Sequence, residues 1–234
     1  MPAAYNARIV IIAIDGPSGA GKGTVARALA QDLNFTHVDT GAMYRAVGWL
    51  AIRQGVPFED EAAVAELAAK ARFDLAGGRV KIDDHDVTQE IRTPAGDVAA
   101  TSVARLPQVR AVLVARQRAM GAHGDIVMEG RDIGTTVFPN ADVKIFLDAD
   151  PAERARRRAN DPAHTAQTAP VASIASAMEA RDHQDRTRAA SPLASAPDAV
   201  HIDTTNMTVE QVVAEVLSVV REKAQGRAGR HVTA

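Results

Sequence analysis

The most constraining stretch of this 234-residue chain is an unbroken apolar run, Ile9 to Ile14, followed at once by a glycine-rich loop and a helical pattern. A short β-branched run without polar alternation marks a strand buried on both faces, as in a parallel sheet. The loop Gly16, Pro17, Ser18, Gly19, Ala20, Gly21, Lys22, Gly23 and Thr24 fits the spacing G-x-x-x-x-G-K. Glycines let the backbone wrap an anion with its N–H groups turned inward, the start of the helix adds positive dipole, and Lys22 adds a full charge. Val25, Ala28, Leu29 and Leu33 then recur at helical spacing over Lys22 to Leu33. Strand, loop and helix in that order imply a phosphate-binding α/β unit. The residue after Lys22 is Gly23, so the hydroxyl that ordinarily helps to hold Mg2+ is missing there, and Thr24 is the nearest substitute.

Strands and helices alternate along the rest of the chain. Short apolar runs at Phe35 to Val38, Asp125 to Met128, Val143 to Leu147 and Ala199 to Ile202 read as further strands. Helical spacing covers Thr40 to Gln54, Glu61 to Ala71, two pieces within 94–123 that meet near Pro107, Val171 to Arg188, and about Thr208 to Lys223. Asp150, Pro151 and Glu153 open another helix, with a capping residue, Pro at the first helical position and Glu at the third. The pattern is that of an α/β fold, a parallel β-sheet core flanked by helices. One segment breaks the rhythm: Arg72 to Ile82, centred on Gly77 and Gly78, reads as a small hairpin and therefore an insert. Residues 160–170 read as a polar loop, and 225–234 as a frayed, disordered tail. The 47 alanines favour helix and leave a modest aliphatic core.

Composition removes several kinds of chemistry. With no Cys, the chain has no disulfide, no thiolate-held metal and no thiol nucleophile. The seven His residues are scattered without a zinc-like pair, and Ser18 has no partnered His and Asp in recognisable order. No apolar run is long enough for a membrane span or a signal peptide, so a cytoplasmic location is expected. A net charge of −2 offers no global attraction for nucleic acid or membrane. The cations, however, are 22 Arg against 5 Lys. Genomic base bias explains such an excess as readily as function does, unless the arginines cluster, because a guanidinium binds phosphate or carboxylate through two hydrogen bonds.

Several segments place Arg beside Asp or a hydroxyl: D-T-G-A-M-Y-R from Asp39, E-G-R-D-I-G-T from Glu129, the helix with Arg154, Arg156, Arg157 and Arg158, and R-D-H-Q-D-R-T-R from Arg181. The guanine-reading N-K-x-D of GTPases is absent, as is an ABC-type L-S-G-G-Q. G-P-S-G-A-G-K-G-T, D-T-G-A-M-Y-R, I-R-T, V-R…R-Q-R, G-R-D-I-G-T-T-V-F-P, K-I-F-L-D-A and R-D…D-R-T-R stand in the order and spacing of the bacterial cytidylate kinases. Over about residues 9–222 the chain closely resembles that family, the (d)CMP kinases among the P-loop nucleoside monophosphate kinases. The resemblance implies transfer of the γ-phosphoryl group of ATP to CMP or dCMP with Mg2+, by a single unit expected to act as a monomer without nucleic-acid or membrane partners. It also implies a CORE of residues 8–39, 106–150 and 189–224, an NMP-binding region of 40–105 enlarged by the β insert, and a lid at 151–170 with a returning helix over 171–188.

The site residues implied are ATP-binding Gly16 to Thr24, and Thr40, Tyr44, Arg45, Thr101, Arg110, Arg131, Asp132, Arg181, Asp185 and Arg188 for CMP. Lys22, Arg131, Arg188, Arg154, Arg157 and Arg158 are implied as catalytic, and Thr24 as a metal contact beside phosphates and water. Asp132, Thr101 and Arg110 would read the base, Arg45, Arg131 and Arg188 would clamp the acceptor phosphate, and Arg181 with Asp185 would read the sugar hydroxyls. Chemistry leaves alternatives open. The competing roles for Asp132 are an ion pair with Arg131, the main alternative, and a magnesium ligand, while a general base is unnecessary because the acceptor phosphate is already ionised. Arg181, Asp185 and Arg188 fit an exposed face held by i to i+4 pairs. Arg154, Arg157 and Arg158 share one helix face, with Arg156 turned away, and fit a solvated basic face or a lid closing over phosphates. A kinase for UMP or a non-nucleotide acceptor, and a non-catalytic nucleotide or phosphate-polymer binder, are the competing functions.

Overall fold

A computed structural model describes residues 10–161 and 170–228. Five strands, β1 (Ile11–Asp15), β2 (Thr36–Asp39), β6 (Ile126–Gly130), β7 (Val143–Asp148) and β8 (Val200–Asp203), form one parallel sheet in the order β2-β6-β1-β7-β8. β1 lies at its centre, and Ile12, Ala13 and Ile14 are fully buried, as an apolar run with no alternation requires. Because every strand runs the same way, the carboxyl ends of all five share one edge, and β1 delivers the glycine-rich loop there. On one face Ile12, Ile14, Leu29, Val143, Ile145 and Val216 pack together, which seats α1 (Lys22–Leu33) and α8 (Val209–Ala228). On the other, Ala13, Val38, Met128 and Ile133 form a second cluster.

Between β2 and β6 the chain leaves the sheet. Helices α2 (Thr40–Arg53), α3 (Glu61–Lys70), α4 (Pro94–Ala104) and α5 (Pro107–Gly121) build their own core around Met43, Val47, Val64, Val103 and Leu113. Gly48 brings α2 and α4 into contact: a Cβ there would lie 2.7 Å from that of Ala99. The anomalous segment is a three-stranded antiparallel sheet, β3 (Phe73–Asp74), β4 (Lys81–Ile82) and β5 (His85–Asp86), so the expected hairpin has one strand more. That strand is two residues long, too short to show an alternation in the sequence. After β7 come α6 (Pro151–Ala159), capped by the Asp150 carboxylate on the Ala152 amide, and α7 (Val171–Thr187).

The remaining boundaries fall within a residue or two of the periodicity, with one exception. α8 continues to Ala228, past the expected end at Lys223 and into the segment read as a frayed tail, because Gly226 is a weak breaker when a helix is already propagating. The rest of that tail, 229–234, and most of the polar loop, 162–169, lie outside the described residues. No single helix among the described residues is long and apolar enough to cross a membrane.

Candidate active site

The shared strand edge opens into a cleft of about 610 Å³. Its floor is the glycine-rich loop, where Gly19 and Gly21 adopt φ of 77° and 89°, a region open to glycine at little cost. Gly16 fits for a second reason, since a Cβ on it would stand 2.0 Å from the Leu147 carbonyl oxygen. Lys22 is buried at the start of α1 and donates from Nζ to the Pro17 carbonyl at 2.6 Å. Burial, reinforced by the positive charge of Arg131, lowers its pKa to about 7. An ammonium held in such surroundings is short of negative charge, which is what a phosphate supplies.

Asp15, the last residue of β1, accepts hydrogen bonds from the amides of Ile133 at 2.8 Å and Gly134 at 2.7 Å. Burial raises its pKa to about 6, with those two amides pulling the other way. This carboxylate ties the turn after β6 to the phosphate loop and so fixes where Arg131 and Asp132 stand. Asp132 is buried and pairs with Arg110 at 2.5 Å and Arg188 at 3.3 Å, while Arg131 pairs with Asp185 at 3.0 Å. The alternative of an ion pair between the neighbours Arg131 and Asp132 is therefore corrected. Adjacent residues at this turn diverge, and each finds its partner on another element.

Arg110 is the unusual member. It is 3% exposed, its guanidinium lies 5.5 Å from the centre of the Tyr44 ring, and its Nε and Nη1 have no hydrogen-bond partner. Burial pushes the Tyr44 hydroxyl up to about 12. Thr101 borders the same end of the cleft, its hydroxyl bonded to the Asp97 carbonyl at 2.9 Å. Thr40 is buried and turns its hydroxyl to the Glu129 carbonyl at 2.8 Å. Arg45, Arg131, Arg181, Asp185 and Arg188 also line the cleft. The exposed-face alternative for α7 fails: Asp185 is buried and the Arg181 and Arg188 side chains are only 15% and 5% exposed.

The arginines of α6 are not a self-repelling row, because each has a carboxylate in reach. Arg157 pairs with Glu153 at 2.8 Å and donates to the Thr204 hydroxyl and carbonyl at 2.9 and 2.6 Å. Arg158 pairs with Asp97, and Arg156 with Glu153 at 2.7 Å. Arg154 departs furthest from expectation. It is 7% exposed and lies behind the loop rather than on the cleft wall, donating to the carbonyls of Ala149 at 3.1 Å and Ser18 at 2.9 Å and pairing with the fully buried Asp182. Asp182 in turn accepts from the Ser18 amide at 3.0 Å. The pair Arg154 and Asp182 thus braces the loop from α6 and α7.

Asp97, Asp182, Glu129 and Thr204 carry the arrangement without a sequence signal of their own. Of these, Glu129 and Asp182 stand inside recognised motifs, which do not tell what their carboxylates hold. The Glu129 carboxylate lies 3.1 Å from the place a Cβ on Gly23 would occupy, and it accepts or shares a proton with His37 Nε2 at 3.1 Å. Glu129 thus places carboxylate oxygens beside position 23, from the strand next to β1.

A family model described as cytidylate kinase matches residues 12–222. A cytidylate kinase of Solibacter usitatus is 48% identical over 92% of this chain and 93% of its own length. A cytidylate kinase of Pelotomaculum thermopropionicum is 50% identical over 88% and 94%. A gluconokinase structure from Sinorhizobium meliloti superposes with a TM-score of 0.50 at 14% identity, covering 94% of this chain and 97% of that one, and so shares the fold alone. The resemblance read from the ordered motifs is borne out, and the chain belongs to the cytidylate kinase family.

Proposed function

We propose that this chain transfers the γ-phosphoryl group of ATP to CMP or dCMP, giving ADP and CDP or dCDP, in pyrimidine nucleotide metabolism. The observation that carries the choice of acceptor is Arg110 beside Asp132: a buried guanidinium with two unpartnered nitrogens next to a buried carboxylate, in a cleft that starts at a phosphate loop. The pairing edge of cytosine offers one amine donor and the acceptors N3 and O2, the complement of a carboxylate and a guanidinium. Uracil would present O4 to Asp132 and be repelled. Arg45, Arg131 and Arg188 clamp the acceptor phosphate, Arg181 and Asp185 take the sugar hydroxyls, and Thr101 assists at the base.

The chain's part in the chemistry is positioning and charge. The loop amides and Lys22 hold the donor phosphates, and Arg157 and Arg158 stand across the cleft to offset charge that spreads over the transferring group. Arg154 acts one step removed, by fixing the loop. Mg2+, when bound, would supply positive charge beside the phosphates. The residues fit it: the Glu129 carboxylate fills the space beside Gly23, and Thr24 lines the same cleft. Among the described residues no group of three or more His, Cys, Asp or Glu could hold a metal ion. We place the CORE at 8–39, 106–150 and 189–224, the NMP-binding region at 40–105 and the lid at 151–170 with its returning helix. We further propose a cytoplasmic monomer that has no nucleic-acid or membrane partner.

The test is an acceptor panel of CMP, dCMP, UMP and AMP with ATP, read by release of ADP. CMP and dCMP are expected to have the highest kcat/KM, and a better rate with UMP or AMP would overturn the base-reading roles. A second expectation concerns the proton on Lys22. With a pKa of about 7, Lys22 is largely neutral at pH 8 and largely charged at pH 6. Phosphate favours the charged form, so binding of Mg–ATP should take up close to about one proton at pH 8 and far less at pH 6. Calorimetry in buffers of different ionisation enthalpy measures this uptake. It should vanish in Lys22→Met.

A further inference from the structure

One carboxylate of the NMP-binding region meets three arginines from three different elements. Asp97, in the first turn of α4, accepts from Arg45 of α2 through Nε and Nη2 at 3.2 Å, from Arg181 of α7 at 2.8 Å, and from Arg158 of α6. Its two oxygens divide the work: Oδ1 takes Arg45 and Arg181, and Oδ2 takes Arg158. All four side chains are between 10% and 19% exposed, so solvent does little to screen their charges. Burial, with repulsion from Arg45 and Arg131, lowers the pKa of Arg181 to about 10, and Arg181 Nε has no partner. Arg45, under the same burial, is by contrast held above its ordinary value by Asp97 and Asp39.

The three arginines separate two spaces. Arg45, Arg158 and Arg181 all border the nucleotide cleft, whereas Asp97 does not; it lines a second groove behind them, between α4 and α7, which Arg158 and Arg181 also reach. The carboxylate thus holds the guanidiniums from the rear and leaves N–H groups on the cleft side. A guanidinium has five donors in a rigid plane, so an anchor at one edge orients the others.

We infer that Asp97 is a positioning residue for phosphoryl transfer: a fixed counter-ion that sets the acceptor-side arginines Arg45 and Arg181 and the lid arginine Arg158 in one arrangement. This deepens the proposed function, since it rests on those arginines facing nucleotide phosphates and sugar. The position couples the two substrates' halves of the cleft through a single side chain.

Steady-state kinetics of full-length D97N, D97A and D97E, with R45M and R181M as controls, tests it. An amide has one acceptor oxygen where the carboxylate has two, so Asn can retain Arg45 and Arg181 while turning its NH2 toward Arg158. D97N is therefore expected to lower kcat about tenfold with KM for CMP within about threefold. D97A, which frees all three arginines, should lower kcat similarly and raise KM for CMP by about tenfold as well. D97E, which restores the charge, should recover kcat to within about threefold of the parent. Equal effects of D97N and D97A on both constants, or no rescue by D97E, would show a merely structural role. A lower KM for CMP in D97A would show that the carboxylate competes with phosphate, and either result overturns the inference. If R45M and R181M leave KM for CMP unchanged, the reading of the cleft fails instead. If they raise it while the Asp97 variants do nothing, only the role of Asp97 fails. Thermal melts of each variant separate these effects from loss of fold.

Discussion

Lys22→Met is expected to lower kcat for phosphoryl transfer by about a thousandfold, the scale on which a preorganised charge at a transferring group acts. No other side chain can stand in. Among the residues around the loop, Arg154 is committed to Asp182 and two carbonyls, and Arg157 to Glu153 and Thr204. The same substitution should not cost stability. A lysine whose pKa is lowered to about 7 is held in the fold against its preference for water. Between pH 7 and its ordinary value the unfolded chain binds more protons than the folded one, so Lys22 weakens folding most fully below pH 7 and the deficit fades as pH rises through that window. Methionine has similar length and no charge to bury, and leaves only the Pro17 carbonyl without its donor. The melting temperature at pH 6.5 should therefore stay level or rise while activity disappears. Near-normal turnover would remove Lys22 from the mechanism, and a large fall in melting temperature would assign it a structural role.

The second large effect is on acceptor choice. Asp132→Asn should lower kcat/KM for CMP by about a hundredfold to a thousandfold, since a site that hydrogen-bonds a substrate edge loses most when its own groups mismatch it. An amide can donate as well as accept, so it no longer repels the O4 of uracil. UMP should lose less than CMP, and the ratio of the two kcat/KM values should fall by at least about tenfold. Removing one charge from a buried arrangement of this kind is also costly, because Arg110 and Arg188 both pair with Asp132. A cost of about 3 kcal/mol is in scale for a broken buried pair. Arg188 keeps its second partner, Asp185, at 3.4 Å, and its bond to the Ser191 carbonyl at 2.7 Å, which limits the damage. Side-by-side kinetics with CMP and UMP, together with a melting curve, read both parts. A ratio that does not move would return Asp132 to a purely structural pairing.

Much of this was legible in the chain. Ile9 to Ile14 and the spacing of Gly16, Gly21 and Lys22 determine a buried strand, a loop with left-handed glycines and a helix start, because each of these depends on residues within one turn of one another. The same locality made α6 readable from Asp150, Pro151 and Glu153, and the order of the Arg-bearing motifs placed them at the ends of parallel strands, which the sheet brings to one edge. The family followed from that order.

Which charge answers which lay beyond it. On α6, Arg154, Arg157 and Arg158 are equivalent by helical spacing, yet one braces the phosphate loop through Asp182, 28 residues away, another holds Thr204, 47 away, and the third joins Asp97, 61 away. Arg131 and Asp132 are neighbours in the chain and pair with different partners. Glu129 supplies an oxygen beside Gly23 only because β6 lies next to β1. A helix or a phosphate loop is specified by short-range backbone conformation, and the sequence by itself determined those elements and the kind of anion they receive. An ion pair is specified by a few ångströms between side chains that the chain order does not relate, so the counter-ions of this site were decided only when the sheet and its helices packed.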